Sequence, residues 1–95
     1  MNKFDTVDIY ILSLLLDTQN EPLTSDNHSI LMLKHKLELF GFELTEKDLL
    51  NRLFKLKKRD LVKKRTRKLF TTYDIRFKIS KKGITFCKRH RITPP

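Results

Sequence analysis

Hydrophobic residues recur at helical spacing from the start of the chain. Over residues 6–18 (TVDIYILSLLLDT), Val7, Ile11, Leu14 and Leu15 fall on one side, joined by Phe4, while Ile9, Leu12 and Leu16 fall on the other. A helix apolar on two sides is sandwiched, either within its own chain or against a second subunit. Asp5 or Thr6 can cap it. Residues 20–27 (NEPLTSDN) read as a loop, with room for a short strand over 22–24 (Pro22-Leu23-Thr24). Ser25, Asp26 or Asn27 then caps a second helix over 28–40 with the stripe Ile30, Leu33, Leu37 and Phe40, and Gly41 follows as its left-handed stop.

A third helix is predicted over 45–59. Thr45 caps it, Glu46 and Asp48 lie at the positive end of its dipole, and Thr45 with Asp48 has capping-box spacing. Leu49, Leu50, Leu53, Phe54 and Leu56 form its buried stripe. Lys47, Asp48, Asn51, Lys55, Lys58 and Arg59 occupy the other face, with Arg52 at the edge. Beyond Asp60 the period changes. Tyr73-Asp74-Ile75-Arg76-Phe77-Lys78-Ile79 alternates as a half-buried strand does. Residues 61–79 therefore read as a hairpin with its tip near Phe70 to Tyr73, although no Asn-Gly or Asp-Gly pair pins the register. Ser80 caps a last helix over 81–90 that carries Ile84, Phe86 and Cys87. The fold class is α+β, mostly α, and 95 residues make one domain, 1–95.

Charge changes the picture more than composition does. Residues 1–44 hold 3 basic and 7 acidic side chains, whereas residues 45–95 hold 18 basic and 4 acidic. Between Arg52 and Lys68 ten basic residues face one acid, Asp60. So lopsided a distribution calls for a polyanionic partner, and nucleic acid is the commonest. A single cysteine excludes an internal disulfide framework and suits a reducing compartment. No apolar run reaches the roughly 18 residues of a membrane span, and the start Met1-Asn2-Lys3-Phe4-Asp5 does not resemble a signal peptide. These features predict a cytoplasmic protein without a membrane partner.

The order of helix, optional strand, helix, tight turn, helix, basic hairpin and short helix resembles the winged helix-turn-helix domain over nearly the whole chain. Three places carry the resemblance. Residues 28–59 look like the helix-turn-helix, with Phe40-Gly41-Phe42 at the turn. Leu53 to Arg65 (LFKLKKRDLVKKR) is similar to the end of the recognition helix and the entry to the wing in MarR- and PadR-like regulators. Ile79-Ser80-Lys81-Lys82-Gly83 is similar to the segment that follows their wing. Asp60 departs from the pattern where glycine is usual, although aspartate tolerates the left-handed conformation better than most residues. In size the chain looks like small viral or plasmid regulators, archaeal ones included, which would place it in a host cytoplasm. The absence of Ala beside 16 Leu hints at an A/T-rich genome.

The resemblance implies double-stranded DNA binding and transcriptional regulation, and the residues allow it. On the third helix, Asn51 can pair with adenine and Arg52 or Lys55 can reach guanine. Lys47, Lys58 and Arg59 can grip phosphates, and Thr45 with the first amides can hold one at the helix start. On the wing, Lys63, Lys64, Arg65, Arg67, Lys68 and Arg76 can follow the backbone, with Arg65 or Arg67 entering the minor groove. The plainer readings are a solvated helix face and an edge strand guarded by lysines. Ile9, Leu12, Leu16, Ile84 and Cys87 are candidates for a homodimer interface, or for packing within one chain. His28 and His35 lack the partners of a structural zinc site, and no catalytic or phosphate-loop motif is visible. The expectation is a non-enzyme with no metal, cofactor or small-molecule ligand. The rival readings are an RNA-binding winged helix of ribosomal type and a winged helix that docks on an acidic protein.

Overall fold

The computed structural model describes residues 4–95. Met1, Asn2 and Lys3, on which the reading of the amino terminus partly rests, lie outside the described residues. Helices α1 (Thr6–Asp17), α2 (Ile30–Leu39) and α3 (Glu46–Lys58) are followed by strands β1 (Val62–Leu69) and β2 (Thr72–Ile79) and by helix α4 (Lys81–Arg89). The architecture is mostly helical, with one antiparallel hairpin, in the order of a winged helix.

Each helix begins on a side-chain oxygen that accepts an otherwise unpaired amide. Asp5 Oδ1 accepts from the amide of Asp8 at 3.0 Å, Ser29 Oγ from Met32 at 3.2 Å, Thr45 Oγ1 from Asp48 at 3.1 Å and Ser80 Oγ from Gly83 at 2.9 Å. Helices α2, α3 and α4 end on one device, a left-handed residue just past the cap. These residues are Gly41 (φ 91°), Asp60 (φ 61°) and Arg91 (φ 56°). The next amide then turns back to the last turn of its helix: Phe42 to the Leu37 carbonyl, Leu61 to Leu56 and Ile92 to Cys87.

Two expected boundaries move. The second helix starts later, because Ser25 caps a separate 3₁₀ turn over Asp26–His28 and Ser29 caps α2. Pro22-Leu23-Thr24 is not a strand. The Pro22 carbonyl closes a turn with the Ser25 amide, and the carbonyls of Leu23 and Ser25 accept from Arg76 Nη1 at 3.2 and 2.6 Å. The third position beside the hairpin is taken by Ser29 instead, through one antiparallel bridge to Arg76.

The core settles the question raised by the two-sided first helix. Helix α1 packs on α2, α4 and β2 of its own chain. Leu12 and Leu16 are buried there with Ile11, Leu14 and Leu15, and Cys87 of α4 is buried with them. Three of the five candidates for a dimer interface are thus consumed inside one chain. Ile84 is half-buried, and Ile9 alone of the set is exposed, at 39%. Leu49, Leu53 and Leu56 of α3 are fully buried, each contributing about 1.5–3 kcal/mol.

The hairpin runs in register from Val62↔Ile79 at its root to Leu69↔Thr72 at its tip, closed by Phe70 and Thr71. Its root is buried through Val62, Phe77 and Ile79, whereas β1 is exposed from Lys63 onward. The root is fastened to the end of α3. Ser80 Oγ donates to the Asp60 carbonyl at 2.6 Å, and the Ser80 amide donates to the Leu61 carbonyl at 3.1 Å. Gly83 is required by the same junction, since a Cβ there would lie 2.1 Å from the Leu61 carbonyl oxygen. The Ile79–Gly83 segment therefore has a mechanical meaning: serine caps α4 and ties the strand ends, and glycine lets α4 close on them.

This junction makes a paired prediction. Gly83→Ala should lower stability by about 1–3 kcal/mol through overpacking. Asp60→Gly should not lower it, because it relieves a left-handed conformation that costs an L-residue roughly 1–2 kcal/mol. Urea unfolding followed by circular dichroism measures both.

Candidate nucleic-acid interface

The orientation of α3 is set by a carboxylate outside the expected set of site residues. Asp8 of α1 is fully buried. Its Oδ1 lies 3.2 Å from Arg52 Nη1 and its Oδ2 lies 3.0 Å from Lys55 Nζ. Arg52 Nη1 also donates to Asp5 Oδ2 at 2.6 Å, so the cap of α1 and its first turn clasp two cations of α3 together. A buried carboxylate is tolerable only with such partners. Arg52 and Lys55, expected to read guanine, are therefore committed to α1. The sequence signal for Asp8 was present: it is an acid on an apolar side, one helical turn before Ile11 and Leu12.

The side of α3 turned away from α1 carries Lys47, Asn51, Phe54 and Lys58, all exposed. Phe54 corrects the expected buried stripe, being 36% exposed. Its ring meets the edge of buried Phe77 with centroids 5.8 Å apart, and Lys64 Nζ of the wing sits 5.1 Å from its centroid. The phenylalanine thus joins the helix ridge to the wing. Arg59 at the cap of α3 lies over the Phe4 ring, 4.3 Å from guanidinium carbon to centroid. Thr45 uses its oxygen on the Asp48 amide, and Glu46 and Asp48 put two acids in the first turn, whose charge opposes a phosphate at the helix start.

The pairing register sorts the wing by face. Lys64, Thr66 and Lys68 stand opposite Phe77, Ile75 and Tyr73, on the side that packs toward the helices. Lys63, Arg65 and Arg67 stand opposite Lys78, Arg76 and Asp74 on the reverse side. All five of these β1 cations are exposed. Among the described residues, none of them forms an ion pair, and neither do Lys47 or Lys58 of α3.

Arg76 is different. Its Nε donates to Asp74 Oδ2 at 2.8 Å, its Nη1 holds the Leu23 and Ser25 carbonyls, and its Nη2 lies 3.5 Å from Asp26 Oδ1. It is a strut between β2 and the loop after α1, and so it leaves the expected set of phosphate contacts. That loop is itself ordered by Glu21, whose Oε1 accepts from Ser25 Oγ at 2.7 Å and Asn27 Nδ2 at 2.8 Å. Both bonds hold the Glu21 carboxyl below its usual range. His28, fully buried behind the loop, faces the Glu21 carbonyl through Nε2 at 3.1 Å.

Among the described residues no group of three potential metal ligands lies together, and no helix is long and apolar enough to cross a membrane. No protein-family model and no curated protein matches the sequence. Among solved structures, the fold is similar to the X-ray structure of a PadR-like transcription factor from Bacteroides fragilis. The TM-score is 0.67 at 23% identity, over 87% of this chain and 75% of that one. The likeness is one of fold.

The clasp predicts an acid-side signature. The Arg52 hydrogen bond holds the Asp5 carboxyl below its ordinary range. The stability from this pair is then complete above the unfolded value of about 3.9 and is lost as pH falls through the lower folded value. Asp5→Asn keeps a good cap but removes the charge. It should be less stable than wild type at pH 6, and the difference should close as both are titrated below pH 3. Thermal unfolding at a series of pH values checks this.

Proposed function

We propose that the chain binds double-stranded DNA in a sequence-dependent manner and acts as a transcriptional regulator. The observation that carries this reading is the segregation of charge on the folded surface. Four acids that could neutralise the basic half are engaged by particular partners: Asp5 and Asp8 by α3, Asp26 and Asp74 by Arg76. Among the described residues, the cations without an ion pair include Lys47 and Lys58 on the ridge of α3 and Lys63, Lys64, Arg65, Arg67 and Lys68 on the protruding hairpin, two elements that share one junction at Asp60–Leu61 and Ser80.

In this reading the ridge of α3 enters the major groove, which admits one helix. Asn51 reads a base edge, and Lys47 and Lys58 hold the phosphates on either side. Phe54 offers an apolar surface of the kind that meets a thymine methyl. The wing follows the backbone into the neighbouring minor groove, with Lys63, Lys64, Arg65, Arg67 and Lys68 on phosphate. Two chains meeting across a surface that includes Ile9 would set two such units about one turn of DNA apart. Duplex DNA is favoured over RNA because the deep, narrow major groove of A-form RNA does not receive a helix.

Selection of bound duplexes from a random pool should return a preferred sequence, and its symmetry reports whether one or two chains bind. Arg65→Ala with Arg67→Ala should weaken all duplexes alike and reduce the salt slope by about two units. Asn51→Ala should instead change preference at one position, by about 1–3 kcal/mol. Structured RNA that competes as well as duplex would overturn the DNA assignment.

A further inference from the structure

The tip of the wing is built unlike its stalk. Phe70 is 97% exposed and holds a left-handed backbone at φ 52°, in a turn position that glycine or asparagine fills without strain. The ring buries nothing in the folded chain. Beneath it, Tyr73 is 66% exposed and Leu69 is 38% exposed. Leu69 pairs with Thr72 and Tyr73 with Lys68, so the two apolar side chains stand on opposite faces of the hairpin. The last cation on β1 is Lys68, two residues short of the ring.

The cations of the stalk lie on both faces of the sheet, Lys64 and Lys68 on one and Lys63, Arg65 and Arg67 on the other. A flat anionic surface such as a lipid headgroup layer would engage a belt of charge around the tip. Charge along both faces of a projecting ribbon fits a slot with negative walls on its two sides. The minor groove is such a slot, its walls phosphate and its floor stacked bases. Cations on the walls leave the uncharged tip aimed at the floor.

Building on the duplex-binding reading above, we propose that Phe70 is a wedge. The wing carries its ring to the floor of the minor groove, where it inserts partly between two base pairs and kinks the duplex, with Tyr73 and Leu69 covering the opened step. Pyrimidine–purine steps, which unstack most readily, are the preferred point of entry. Apolar side chains inserted in this way bend DNA by roughly 20–90°. Phe70 then contributes to specificity through the deformability of a step and not through hydrogen bonds to it.

The test uses a duplex of about 30 base pairs with central TpA steps, one adenine replaced by 2-aminopurine, and end labels for energy transfer; the bending it reports is the kink expected of an inserted wedge. Wild type should raise 2-aminopurine emission and shorten the end-to-end distance. Phe70→Ala and Phe70→Gly should abolish both signals and weaken binding roughly 5- to 150-fold, the range found when a stacked aromatic is removed. The glycine variant suits the left-handed position, so lost folding does not explain its loss. The chain has no Trp, and so Phe70→Trp installs a single reporter, whose emission should be quenched and shielded from acrylamide by duplex. Binding by Phe70→Gly at wild-type strength, with unchanged emission and bend, overturns the wedge and leaves duplex binding intact. Failure of wild type to bind any duplex at low salt overturns the function beneath it. A Phe70→Trp emission shifted to the blue by phosphatidylserine vesicles, and unmoved by duplex, overturns the wedge in favour of lipid.

Discussion

The fold depends on a buried negative charge. Asp8 has no access to water, and an isolated carboxylate in that place would be prohibitively costly. The cations that make it tolerable come from α3, so the helix must dock with Arg52 and Lys55 against α1. The hydrophobic stripe of Leu49, Leu53 and Leu56 supplies most of the attraction, but greasy surfaces slide. The ion pairs set the rotation of the helix about its axis, and the rotation decides which residues face outward. Buried pairs of this kind add little net stability and can serve as registration devices.

The same pairs explain why a strongly basic chain can still fold. Repulsion among crowded cations is relieved where acids from the amino-terminal half reach across, as at Arg52, Lys55 and Arg76. It persists where they do not, along β1 and the ridge of α3. Arg65 stands directly opposite Arg76 in the sheet, an arrangement of like charges that destabilises unless one is neutralised, and Asp74 does so. A strand with five exposed cations is a poor strand by itself. It holds because Val62, Phe77 and Ile79 anchor its root.

Much of this was legible in the residues because local chemistry determined it. Caps such as Thr45 and Ser80 bond to amides three residues away, and Gly41 and Asp60 end helices through their own backbone angles. The alternation from Tyr73 to Ile79 reflects one buried face of one hairpin. What resisted reading was contact between residues distant in sequence. Nothing near Arg52 reveals that Asp8, 44 positions earlier, would claim it. The same holds for Arg76, whose partners include the Leu23 carbonyl 53 positions away. A period of 3.6 placed Phe54 inward, yet the wing leaves one side of that ring open. Leu12 and Leu16 looked like surplus apolar surface because two of the elements on which α1 packs, β2 and α4, come last in the chain.

The junction at Asp60, Leu61, Ser80 and Gly83 has one more implication. Three backbone groups, the Ser80 hydroxyl and a missing methyl fasten the base of the hairpin to the end of α3. In the proposed complex the two elements would then behave as the jaws of a fixed caliper. Such a tool measures before it grips: the protein would sense the separation of adjacent grooves, and hence the local helical pitch of its target, so that overwound or underwound DNA of identical sequence would be held differently.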